Sequence, residues 1–236
     1  MDSMDGSLED LVAMVQRELR ARGNPDDAGP MQAYMKSEQP FYGVTRPNRQ
    51  PVVKALRAYP PHDQPDWQRR ILALWNLPHR EERYMALDYM TLWRQYHKPA
   101  ALPLCKRLAQ EGAWWDLVDW VAGRVVSPIL LAHRDQTRPV MEEWVEDENM
   151  WVRRMAILSQ LKHKDRTDAA QLFDFCLRRA DETEFFIRKA VGWALRDYSW
   201  ANPDGVRDFL ADHGEELSPL TRREAGKHLA KIGMPP

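Results

Sequence analysis

Apolar residues recur along this chain at intervals of three and four, the spacing that gathers them on one face of an α-helix. Leu8, Leu11, Val12, Val15 and Leu19 form the first stripe, opened by the capping-box pattern Ser7-Leu8-Glu9-Asp10 and stopped by Gly23-Asn24-Pro25. A shorter helix carries Met31, Tyr34 and Met35 and breaks at Glu38-Gln39-Pro40. Residues 41–49 read as a structured loop, in which Gly43 supplies backbone freedom and Pro47 suits the first turn of the next helix. From residue 63 the helices follow in series. Asp63-Gln64-Pro65 opens one with Trp67, Ile71, Leu74 and Trp75; the next runs through Met85, Leu87, Met90 and Trp93 to Lys98-Pro99. Pro99 starts another, with Leu102, Leu104, Cys105 and Leu108, and Gly112 separates it from Trp114-Trp115-Asp116-Leu117-Val118-Asp119-Trp120. Thr137-Arg138-Pro139, Asn149, Asp165, Thr183, Asn202-Pro203 and Ser218-Pro219 each read as a helix start. No segment alternates at strand spacing, so the fold class is all-α. Antiparallel helix pairs recur at roughly 35 to 45 residues, the interval of helical hairpin repeats that stack into a curved α-solenoid with a concave face.

Charge changes this picture through its distribution. Lys and Arg number 34 against 35 Asp and Glu, so the sum of −1 does not announce a polyanion partner. Bases nevertheless concentrate at Arg46 to Arg57, Arg153-Arg154 through Arg166, Arg188-Lys189 and Arg222 to Lys231. A solvated helix face is the ordinary reading of any one such run. Cys105 and Cys176 lie far apart in apolar helical patterns, as free thiols of a reduced compartment do. The acidic N-terminus lacks a signal-peptide pattern and no window nears the ~20 apolar residues of a membrane span, so a soluble, cytoplasmic protein is expected.

The candidate chemistry is narrow. Walker, dinucleotide-binding and nucleophile-elbow glycine patterns are absent, and the seven histidines never stand at metal-ligand spacing, so neither a metal nor a cofactor is expected. What remains begins in the tryptophan segment. In a helix Trp115 and Asp119 share a face one turn apart, with Trp120 on another stripe beside Leu117 and Gly123. A core role for the indoles, with solvated aspartates, is the plain alternative. An arginine pair at Arg153 and Arg154, and Trp193 preceded by Arg188-Lys189, stand on other helices. Such an aromatic, anionic and cationic set suits a nucleic-acid strand held around a cationic centre.

At these residues the chain resembles the bacterial DNA alkylation repair glycosylases of the AlkD type. The resemblance is carried by Trp114-Trp115-Asp116-Leu117-Val118-Asp119, by 149–158 (NMWVRRMAIL) and by 185–196 (FFIRKAVGWALR). Upstream, Tyr34-Met35-Lys36 and Phe41-x-Gly43-Val44-x-x-Pro47-x-Arg49 fit, as does 217–225 (LSPLTRREA) at the other end. It implies a single HEAT-like helical repeat domain over residues 1–236, the first few residues flexible, with a concave DNA-binding face. It further implies Asp119 as the catalytic acidic residue, Trp115 and Trp193 as aromatic walls, Arg154 as a DNA-contacting base and Tyr34 in the same cleft. Thr45, Arg46, Arg49, Arg153 and Lys189 complete the expected DNA-binding set. Thr45 stands where the family pattern has Gln, which puts contacts to the strand opposite the lesion in doubt.

The implied activity is monofunctional release of cationic N3- and N7-alkylated purines from double-stranded DNA, by a monomer that uses no cofactor and no metal. The chemistry of the residues agrees with it. An alkylated purine is already positively charged and leaves as a neutral base, so the enzyme mainly stabilises cationic sugar character. A desolvated carboxylate and indole faces do that. Two rivals remain: a non-catalytic DNA-binding HEAT-repeat relative, and a HEAT scaffold that binds another protein.

Overall fold

The computed structural model describes residues 6–234. The expected flexibility of the first few residues falls on 1–5, outside the described residues. The chain divides into two compact units, Met1–Tyr96 and His97–Pro236. Among the described residues every regular element is helical and none is a strand, as the missing alternation predicts.

In the first unit, helix α1 (Leu8–Arg22) starts as its sequence dictates. Ser7 Oγ accepts the Asp10 N–H at 3.0 Å and the Asp10 carboxylate takes the Ser7 N–H at 3.3 Å. Leu11, Met14, Val15 and Leu19 are buried, whereas Leu8 and Val12 stay half-exposed at the edge of the stripe. Helix α2 (Pro25–Met35) buries no residue and ends at Lys36, in the left-handed conformation at φ 49°. Helix α3 (Arg46–Ala55) has Thr45 at its N-cap and Pro47 in its first turn. The loop before it is held from helix α5 (Arg80–Leu92), whose Glu81 is wholly buried. Its carboxylate accepts the N–H groups of Tyr42, Gly43 and Val44 at 3.0, 2.9 and 3.0 Å. Gly43 sits at φ +81°, and a Cβ there would lie 2.0 Å from the Asn24 carbonyl oxygen, so only glycine fits.

Helix α4 (Gln64–Trp75) is capped by Asp63, which accepts the Asp66 N–H at 2.7 Å, and packs on α5. Trp67, Ile71, Leu74 and Trp75 from α4 meet Met85, Leu87, Tyr89 and Met90 from α5 in a core closed to solvent. Each such side chain contributes roughly 1.5–3 kcal/mol on burial. Helix α5 is shorter than the pattern implies. Trp93 leaves the helical region at φ −105°, ψ 65°, and two 3₁₀ turns, Arg94–Tyr96 and Pro99–Ala101, replace the expected continuation to Lys98-Pro99. Lys98, which precedes a proline, is extended at φ −125°, ψ 163°.

The second unit contains α6 (Leu102–Gly112), α7 (Trp115–Val121), a π-helical turn (Ala122–Val126), α8 (Ser127–Ala132), α9 (Arg134–Trp144), α10 (Met150–Ile157), α11 (Ala169–Arg178), α12 (Phe185–Ser199), α13 (Pro203–His213) and α14 (Pro219–Lys231). Asn149, Asn202 and Ser218 cap α10, α13 and α14 as expected. Three other starts are corrected. Thr137 lies inside α9, where its hydroxyl donates to the His133 carbonyl at 2.9 Å, a back-bond that lets threonine sit within a helix. Asp165 belongs to a 3₁₀ turn, and Asp168 caps α11 by accepting the Gln171 N–H at 3.1 Å. Glu184, not Thr183, precedes α12. Helices α12 and α14 run in close contact at Gly192, where a Cβ would meet Glu224 Cβ at 2.5 Å and the Thr221 carbonyl oxygen at 2.8 Å.

Candidate functional site

The tryptophan helix begins abruptly. Gly112 is the last residue of α6 and not the break itself; Ala113 takes the left-handed conformation at φ 40°, and Trp114 follows extended at φ −153°. A non-glycine residue held there stores about 1–2 kcal/mol, and the turn lets α7 pack back on α6. Leu117, Val118 and Val121 form the buried stripe of α7. Trp120 does not share it. Its half-buried indole lies under Arg124, four residues on, whose guanidinium carbon is 4.2 Å from the ring centroid.

Trp115 and Asp119 fall on the remaining stripe, both half-exposed. Across from them stands α10, whose start is set by its Asn149 cap: Asn149 Oδ1 accepts the N–H groups of Trp151 and Val152 at 2.9 and 3.3 Å. That cap places Arg154 in the second turn, where it is only 4 % exposed. Arg154 Nε donates to Asp119 Oδ1 at 2.7 Å and Nη2 to Oδ2 at 2.8 Å, a two-pronged pair that fixes the carboxylate plane. Its Nη1 donates to the Phe186 carbonyl oxygen in the first turn of α12. One side chain thus ties α7, α10 and α12 together. Burial pushes the Asp119 carboxyl above the ordinary carboxylate range; Arg154 opposes the shift and the neighbouring Asp116 charge adds to it.

Beside this pair lies an aromatic cluster that the sequence does not single out as a unit. Trp114 is 6.1 Å from Trp151 and 5.4 Å from Phe186, and Trp151 is 4.9 Å from Phe186, all between ring centroids. Phe185, 55 % exposed, stands 5.4 Å from Phe186 at its rim. Aromatics at the starts of three helices are the only local signal of it, and their meeting depends on long-range packing.

The other expected site residues are placed differently from one another. Trp193 is half-exposed on α12, two turns after Phe186 on the same face. Lys189, between them, is 2.9 Å from Glu224 of α14. Arg153 is tied to Glu182 by bonds of 2.7 and 3.0 Å and to the carbonyls of Asp147 and Glu148, so it presents no free guanidinium. In the first unit, Tyr34 is 73 % exposed, Arg46 is exposed in the first turn of α3, and Thr45 is half-exposed with no capping bond from its hydroxyl. Arg49 is buried, 3.5 Å from Asp88 and 4.7 Å over the Tyr84 ring. Among the described residues no group of three or more His, Cys, Asp or Glu side chains is arranged to hold a metal ion, and no helix is long and apolar enough to cross a membrane.

An all-helical chain that clamps a part-buried carboxylate with an arginine, beside an indole on the same helix face, defines a helical protein with an acid and aromatic site. Its sequence places it further: the chain belongs to the DNA alkylation repair enzyme family, whose model matches residues 15–229. Among solved structures it is similar to a predicted DNA alkylation repair enzyme from Enterococcus faecalis, with 30% identity, a TM-score of 0.78 and coverage of 89% of this chain and 98% of that one. Its fold is also similar to that of AlkD2 from Streptococcus mutans, at 16% identity and a TM-score of 0.64, covering 94% of this chain and 98% of that one. The smu.31 protein of Streptococcus mutans UA159 gives 16% identity and a TM-score of 0.59 over 91% of this chain and 98% of its own. A comparison with curated proteins gives no match. The family expected from the tryptophan helix and the two later helices is therefore the family found.

Proposed function

We propose that this protein is a DNA glycosylase that hydrolyses the N-glycosidic bond of cationic N3- and N7-alkylated purines in duplex DNA and leaves an abasic site. The observation that supports it most is Asp119, part-buried, clamped by Arg154 and one turn from Trp115. Arg154 holds the carboxylate as an anion of fixed orientation, and partial burial reduces the water that screens it. As the bond to the cationic base lengthens, positive charge passes to the sugar. Asp119 stabilises that charge and orients the water that attacks the anomeric carbon, and the base departs neutral. Trp115 and Trp193 offer indole faces to the same charge, each contact contributing about 0.5–2 kcal/mol.

Within this reading Arg154 is first a positioning residue. Three of the five N–H donors of a guanidinium are engaged with Asp119 and Phe186, and the side chain is nearly closed to solvent, so it acts chiefly through the carboxylate it holds. Every step uses the chain's own residues, acting as a monomer in the cytoplasm. The test is to incubate the protein with methylated duplex DNA and identify the released bases by mass spectrometry. 3-Methyladenine and 7-methylguanine should appear, while uracil in a matched duplex stays in place, since no strong general acid stands ready to protonate a neutral leaving base. Efficient uracil release would overturn the dependence on substrate charge.

A further inference from the structure

The loop after α10 carries Lys162, Lys164 and Arg166, all exposed, against one exposed acid, Asp165. Two of its residues are strained: Lys162 at φ 67° and Lys164 at φ 57° occupy the left-handed region without being glycine. His163 between them is right-handed at φ −68°, ψ −22°. Alternation of this kind turns successive backbone N–H groups toward one concavity, the arrangement that receives anions; here the first two, of Lys162 and His163, are taken by Asp197 Oδ2 and the Gln160 carbonyl. Among the described residues, the N–H groups of Lys164 and Asp165 donate to no protein acceptor.

The loop is rigidly seated. His163 is buried, with Nε2 2.9 Å from the Ser127 carbonyl oxygen, and the Ser127 hydroxyl donates to the Leu161 carbonyl at 2.7 Å. The Gln160 side chain accepts the Asp168 N–H at 2.8 Å and donates to the Asp168 carbonyl at 3.1 Å, closing the loop on itself. A fourth cation approaches as Arg134 Nη2 donates to the Arg166 carbonyl at 2.6 Å. The remaining tether sets the location. The Lys162 N–H donates to Asp197 Oδ2 at 2.7 Å, and Asp197 lies one helical turn after Trp193 on the same face of α12. The strained cationic loop is thus fastened next to an indole of the candidate site.

We propose that the loop 162–166 is a phosphate-binding site that receives a phosphodiester of the DNA strand running past Trp193. The inference rests on the DNA-binding part of the proposed function. Lys162, Lys164 and Arg166 supply charge, and the open N–H groups of Lys164 and Asp165 supply directional bonds to the phosphate oxygens. The left-handed turn at Lys164 leaves its own N–H and that of Asp165 open beside the three cationic side chains.

The experiment measures binding of the full chain to an undamaged duplex over a salt series. It compares wild type with a triple variant, Lys162→Asn, Lys164→Asn and Arg166→Gln, in which asparagine suits the left-handed backbone. Arg207→Gln, on the exposed face of α13, serves as a control for charge removed elsewhere. The triple variant should bind at least about tenfold more weakly at physiological salt, and the slope of log K against log salt should fall by about 0.9 for each phosphate that is no longer neutralised. Arg207→Gln should keep the wild-type slope, and Lys162→Arg with Lys164→Arg should retain wild-type affinity. A folded triple variant with wild-type affinity and slope overturns the loop site alone. If wild type shows no salt-dependent duplex binding, the DNA reading fails and the loop inference falls with it.

Discussion

Asp119 shows how one residue is asked to meet opposing demands. Burial raises its carboxyl pKa, Arg154 draws it back, and Asp116 pushes it up again. The native state therefore binds a proton more readily than the unfolded chain does. Its proton-linked contribution to stability is present below the unfolded pKa and is lost as pH rises through the raised one. Under the proposed mechanism activity runs the other way, since there the anion is the working form. Single-turnover excision should be full above the raised pKa and drop about tenfold for each pH unit below it, with a midpoint above the value of about 3.9 for a free aspartate. Removing the counter-charge by Arg154→Met should move that midpoint to higher pH. A pH–rate profile of the two proteins checks this; an unmoved midpoint would separate Asp119 from the rate.

At the scale of elements, α12 carries Lys189 and Arg196 one turn to either side of Trp193 on the same stripe, and a charge cluster with α14 holds that stripe in place. Glu224 of α14 is nearly closed to solvent and accepts Lys227 at 2.5 Å, Arg196 at 2.7 Å and Lys189 at 2.9 Å. Burial alone would raise this carboxyl, but the hydrogen bonds from Lys227, Lys189 and Arg196 hold it at about 2. The stability it supplies is present above its unfolded value near 4.5 and is lost as pH falls toward 2. Glu224→Gln should lower stability at pH 7 by about 1–3 kcal/mol, because the three cations are partly wet and screened. Thermal melts at pH 7 and pH 3 check it, with the gap between variant and wild type narrowing in acid. A gap that widened in acid would contradict the cluster's sign.

This cluster also shows where reading a sequence stops. The helices are legible, since apolar spacing and the caps at Ser7, Asp63, Asn149, Asn202 and Ser218 are local signals. Asp165 and Asp168 are both of a capping residue type, and only packing chooses between them. Trp115 and Asp119 are visible as an i, i+4 pair, but nothing local joins Asp119 to Arg154, Lys189 to Glu224, or Glu81 to the loop at Gly43. Those contacts span about thirty to forty residues. The partners of Arg49 and Arg153 are equally out of local reach: a basic residue reads as surface charge until its carboxylate partner is placed.

For the molecule as a whole, a net charge of −1 means that, under the proposed function, affinity for DNA has to come from where bases are placed, while rate comes from one carboxylate. The two are separable. Asp119→Asn keeps the shape of the side chain and removes its charge, so duplex binding should persist while the transition state loses its stabiliser. The decisive measurement is single-turnover excision of 7-methylguanine from a defined duplex with enzyme in excess, beside binding to the same duplex and circular dichroism of both proteins. Asp119→Asn should lose about 10²-fold or more in rate, with binding within a few-fold of wild type. A folded, DNA-bound Asp119→Asn that excises at the wild-type rate would contradict the role proposed for Asp119.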